Sequence, residues 1–145
     1  MGLLDDYSGA PGLGMAPRPA RAHQIAMSNL HINLTVALPK SKFIVLTEDA
    51  IYKAGRKDRA PDIVVYEKLQ NGELKAVMFI EINDHKRLPK LLARIHEVMR
   101  VAEVTEAFLY RYDLGTWQKF STRPAASASH SYSDVLRLDL SAMAK

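Results

Sequence analysis

Two carboxylates stand where an apolar sheet would not ordinarily place them. Asp62 follows Pro61 at the mouth of the aliphatic run Ile63-Val64-Val65, and Glu81 interrupts Ala76-Val77-Met78-Phe79-Ile80 near the end of a second run. Between the two lies Asn71-Gly72, a strong hairpin signal because both residues tolerate the positive φ of a type I′ turn. A hairpin closed symmetrically on that dipeptide brings Asp62 close to Glu81, side by side at one end of the sheet. Adjacent carboxylates repel unless positive charge sits between them, and a divalent cation takes oxygen ligands of this kind.

Basic residues flank the pair on both sides. Lys53-Ala54-Gly55-Arg56-Lys57-Asp58-Arg59 leads directly into Pro61-Asp62, and Asn83-Asp84-His85-Lys86-Arg87 follows Glu81. Charged connectors are usually just solvated. Next to an acid pair, the Arg56, Lys57 and Arg59 loop is instead placed to meet phosphates. His23 and His31 read as surface or half-buried helix residues, the ordinary state of a histidine.

The elements that must hold these residues follow from periodicity. Ala22, Ile25, Ala26, Leu30, Leu34, Ala37 and Leu38 recur at helical spacing, and Pro39 ends that helix. Phe43–Thr47 reads as a short strand, extended by Ile51-Tyr52, and the hairpin runs as Asp62–Lys68 and Leu74–Ile82. Pro89 suits a helix first turn, and Leu88, Leu91, Leu92, Ile95, Val98, Met99 and Ala102 form its apolar stripe. Glu106–Tyr112 alternates as a strand, Asp113-Leu114-Gly115 turns it into Thr116–Phe120, and Asp134–Leu140 reads as a last amphipathic strand. The expected product is a single α/β domain over residues 20–145, a central mixed sheet flanked by helices, since a strand–helix–strand crossover returns the chain parallel to its start. Residues 1–19, rich in Gly, Pro and Ala, read as an irregular arm whose Leu3, Leu4, Tyr7, Leu13 and Met15 suit docking onto a partner.

Composition bounds the function. The 145 residues carry 48% hydrophobic and 25% charged side chains, ordinary for a globular domain. No cysteine is present, which removes disulfides and thiolate metal sites and accords with a reducing cytoplasm. A net charge of +4 makes a polyanionic partner plausible. Asp5 and Asp6 stand where a signal peptide would be basic and no long apolar run follows, so a cytoplasmic protein without membrane contact is expected.

The ordered set of motifs resembles the PD-(D/E)XK nuclease superfamily, with its restriction-endonuclease-like fold, and within it the bacterial family named putative restriction endonucleases. The matching pieces are His23-Gln24-Ile25-Ala26, Arg59-Ala60-Pro61-Asp62-Ile63-Val64-Val65, Phe79-Ile80-Glu81-Ile82 and Val104-Thr105-Glu106-Ala107-Phe108-Leu109-Tyr110, with Trp117 in the next strand. The resemblance implies a hydrolase, an endonuclease that cuts DNA, in which Asp62 and Glu81 hold Mg²⁺ (or Mn²⁺) and a lysine orients or activates the attacking water. This chain departs at the lysine: Asn83 stands two residues beyond Glu81, and an amide supplies no positive charge. Lys86 or Lys90 would then reach back to the site, and Glu48 would stand in for the extra upstream acid of many relatives. DNA contact falls to Arg56, Lys57, Arg59, Lys86 and Arg87, and a homodimer suits the cutting of two strands. The alternative is a catalytically degenerate nuclease-fold subunit, binding or structural, of a larger DNA-handling or phage assembly. A weaker reading, a binding domain built on Tyr110, Tyr112 and Trp117, competes with plain sheet packing of those aromatics.

Overall fold

The computed structural model describes residues 21–49, 51, 60–84, 88–124 and 128–145. The expected arm 1–19, the basic loop with Arg56, Lys57 and Arg59, and the pair Lys86 and Arg87 lie outside the described residues. Helix α1 (Arg21–Ala37) is followed by strands β1 (Phe43–Thr47), β2 (Ile63–Lys68) and β3 (Leu74–Asn83), then by helix α2 (Leu88–Ala102). Strands β4 (Glu106–Arg111) and β5 (Thr116–Ser121) come next, and two short strands end the chain, β6 (Tyr132–Ser133) and β7 (Leu138–Asp139). The main sheet runs β1-β2-β3-β4-β5, with β3 and β4 parallel and the other neighbours antiparallel. Helix α2 is the crossover that makes β3 and β4 parallel, as a strand–helix–strand unit requires. The expected mixed sheet with flanking helices is what forms.

Period-two alternation divides the core between the two sheet faces. Ile63, Val65, Met78, Ile80, Ile82, Phe108 and Tyr110 pack with Ala26, Leu30, Leu34 and Leu38 on the α1 face. Val64, Tyr66, Phe79, Ala107 and Leu109 pack with Leu91, Ile95, Val98 and Met99 on the α2 face. Both faces are covered by helices, which explains why the central strands read as nearly unbroken apolar runs. Tyr110 and Trp117 meet with ring centroids 4.8 Å apart and planes tilted by 45°, on the α1 face.

The β2–β3 hairpin reaches its register by a different route from the one Asn71-Gly72 suggests. Gly72 N donates to Leu69 O (2.9 Å) and Leu69 N to Glu73 O (2.8 Å), so the loop has three residues rather than two, with Gly72 at φ +86°. That is the form in which a left-handed glycine closes a longer hairpin loop. Such a turn alone would displace the pairing by one residue. A bulge opposite Val65/Tyr66 restores it: Tyr66 pairs with Ala76, but Val65 pairs with Met78, leaving Val77 unpaired. Ile63 then pairs with Ile80, and the next step of that register sets Asp62 beside Glu81.

The C-terminal segment differs from the single strand expected over 134–140. Residues 134–137 form a turn between β6 and β7, with Arg137 at φ +55°. The segment is held by burial of Leu140 and Ala144 in the α1-face core and by polar contacts: Asn29 Nδ2 of α1 donates to Ala144 O (3.4 Å) and Asn33 Nδ2 to Met143 O (2.8 Å). Among the described residues, no helix is long and apolar enough to cross a membrane.

Candidate active site

The acid pair sits at the end of the sheet where β2 begins and β3 finishes. Asp62 precedes the first residue of β2, and its Oδ2 accepts the amide of Ile82 (2.8 Å) from the neighbouring strand. Glu81 alternates with Ile80 and Ile82, so its side chain takes the α2 face and is only 3% exposed. Its Oε2 is buried and accepts no hydrogen bond. Burial pushes the Glu81 carboxyl up to about 8, and the charge of Asp62 pushes the same way, while Arg94 opposes both. The pair therefore resists carrying two negative charges as it stands.

Two cations approach the pair, one from each helix. Arg94 Nε of α2 lies 3.3 Å from Glu81 Oε2, and its Nη2 donates to Ala60 O (2.9 Å), two residues before Asp62. His23 Nε2 of α1 lies 3.5 Å from Asp62 Oδ1. The hydrogen bond to Asp62 raises the imidazole above its ordinary range, against the opposing effect of burial. The His23 ring also meets Tyr112 edge-on at 5.9 Å, and Tyr112 OH donates to Asp84 Oδ2 (3.3 Å).

Helical periodicity places neither cation at the acids. His23 has the spacing of a half-buried helix residue, and Arg94 falls on the polar side of the α2 stripe. Their approach to the acids depends on where a strand end meets each helix, which no local pattern encodes. The sequence signal that was available is charge compensation, since a buried glutamate in an apolar strand calls for a nearby cation.

The other sequence candidates lie further out. Glu48 is exposed at φ +52°, its amide donates to Asp62 O (3.0 Å), and its negative charge helps to raise His23, so it stands at the edge of the acid pair. Asn83 Oδ1 accepts the amide of Asp84 (2.8 Å) and caps the end of β3. Lys90 is exposed one turn before Arg94, so the α2 cation at Glu81 is Arg94. Among the described residues, no cluster of three His, Asp or Glu is arranged around a common metal position.

An α/β fold with a mixed five-stranded sheet and one helix layer on each face is restriction-endonuclease-like. A solved structure bears this out: the chain is similar to a "putative nuclease belonging to DUF820" from Anabaena variabilis. The TM-score is 0.54 at 18% identity, over 75% of this chain and 67% of the other. No protein-family model and no curated protein matches the chain.

Proposed function

We propose that this protein is a metal-dependent nuclease that hydrolyses phosphodiester bonds in DNA. The observation that carries the reading is the side-by-side Asp62 and Glu81, with a Glu81 oxygen buried and left without a hydrogen bond. Hard oxygen donors of this kind fit Mg²⁺ or Mn²⁺, and Asp62 and Glu81 would hold the ion. Such an ion supplies Lewis-acid polarisation of the phosphoryl oxygen and lowers the pKa of water. Arg94 provides the positive charge that Asn83 cannot, at the edge of the acid pair where charge develops on the phosphate. The Ile82 amide and His23 fix the two oxygens of Asp62, so that the carboxylate meets its ligand in one orientation. The net charge of +4 favours a polyanionic substrate.

A second reading, a nuclease-fold module that binds DNA without cutting it, is favoured by Asn83 and by the lack of a third acidic or imidazole ligand among the described residues. Nicking of supercoiled plasmid in Mg²⁺ separates the two. The nuclease reading expects cleavage by the wild type and its loss in Asp62→Ala and Glu81→Ala. Arg94→Gln should cut about a hundredfold more slowly while binding DNA as before, the cost of removing one group that stabilises developing charge. Wild-type protein that retains DNA in a mobility shift but never nicks it establishes the second reading.

A further inference from the structure

Near the acid pair lies a cavity of about 260 Å³ lined by Leu109, Arg111, Thr116 and Gln118 from the α2 face, together with Trp117 of the α1 face and His130. Register shows how it relates to the acids. Glu81 pairs with Leu109 and Leu109 with Gln118, while Asn83 pairs with Arg111 and Arg111 with Thr116. Residues directly opposite one another share a face, as Phe79 and Ala107 do on the α2 side. Arg111, Thr116 and Gln118 therefore continue the α2 face outward from Glu81. Two strand spacings, about 10 Å, separate the Gln118 and Glu81 backbones.

The chemistry of the lining is that of an anion and its polar neighbour. Arg111 Nη2 is anchored by Asp113 Oδ2 (3.0 Å), yet its Nε is buried with no hydrogen-bond partner. A buried guanidinium donor left open is costly unless something accepts from it. A planar fork held at one corner is well suited to phosphate. Thr116 and Gln118 are exposed, and their side chains supply a hydroxyl and an amide for sugar or base edges. The volume suits one nucleotide unit and falls short of the clefts that hold larger ligands.

We infer that this cavity is a nucleotide subsite, in which Arg111 takes a phosphate and Thr116 and Gln118 take the sugar or base next to the bond cut at Asp62 and Glu81. The inference rests on the nuclease reading for its place beside a scissile bond, but not for its ligand chemistry. It would hold one strand in line with the acid pair and contribute to KM rather than to the chemical step.

The chain has a single tryptophan, Trp117, and it lines the cavity, so intrinsic fluorescence reports occupancy. The test titrates thymidine 5′-monophosphate into the full chain in EDTA, alongside plasmid cleavage in Mg²⁺. The expected result is a saturable change in Trp117 emission, weakened about tenfold by Arg111→Gln and retained in Asp62→Ala. Gln118→Glu, at an exposed position where folding is safe, should weaken it as well by adding negative charge to a cavity that takes an anion. Both variants should raise KM for cleavage and leave kcat near the wild-type value. If the wild type cleaves DNA but both variants keep its KM and its nucleotide response, the subsite is overturned and the nuclease reading stands. If nothing cleaves but the nucleotide response still depends on Arg111 and Gln118, the nuclease reading falls and the subsite stands.

Discussion

Two buried glutamates, both on central strands, are treated in opposite ways by this fold. Glu106, 2% exposed at the start of β4, is saturated: Ser133 Oγ donates to its Oε1 (2.5 Å) and the Asp134 amide to its Oε2 (2.8 Å). Lys119 Nζ stands 3.6 Å from that same Oε2 and bridges to Asp134 at 2.6 Å. Glu81, equally buried at the end of β3, has an oxygen with no hydrogen bond, a second carboxylate beside it and one guanidinium at 3.3 Å. Burial of charge is tolerated when every lone pair is met, and is otherwise a strain that a ligand can relieve. Glu106 is a structural acid that holds the β6–β7 segment to the sheet. Glu81 is left short of partners, as the proposed metal site requires.

That contrast sets the expected size of each substitution. Glu106→Ala should destabilise most, by about 3–5 kcal/mol, because it removes one of the two carboxylates that meet the buried Lys119 and releases residues 133–135 from the sheet. Chemical denaturation would show it as a large drop in midpoint. Glu81→Ala should cost far less stability, since the group removed was poorly satisfied. An equal loss for the two variants would erase the distinction.

A smaller effect sharpens the same point through pH. Glu81 has its folded-state value raised, so the folded chain binds more protons than the unfolded chain between the ordinary carboxyl range and about 8. Stability then falls as pH rises through that window. His23 is raised too, and its contribution is complete below the ordinary imidazole range and is lost as pH climbs past its folded value. Thermal melts should give a higher Tm at pH 5.5 than at pH 8.5. Glu81→Gln should narrow that gap, chiefly by raising Tm at the alkaline end. A gap unchanged in Glu81→Gln would mean that Glu81 ionises freely in the folded protein.

Much of this was legible in the chain, for reasons that differ from residue to residue. Asp62 and Glu81 stood out because a carboxylate in an aliphatic run is rare, and the apolar periods of α1, α2 and β1–β5 fixed the layers around them. Their pairing was readable although the turn was not: the three-residue loop at Gly72 and the bulge at Val77 displace the register in opposite directions. Residues 132–140 were not legible as two short strands, because hydrogen bonds from their amides to Glu106 and Ser133 shape the turn between them. Arg94 and His23 escaped for a related cause, since their partners lie 13 and 39 residues away in sequence and meet them only by packing.

The most direct measurement is calorimetric titration of Mn²⁺ into the wild type, Asp62→Ala and Glu81→Ala at pH 8. The account predicts saturable binding at one site by the wild type, with proton release as Glu81 ionises, and no binding by either variant. Wild-type protein that takes up no Mn²⁺, or variants that bind it as the wild type does, would contradict the claim that Asp62 and Glu81 form a metal site.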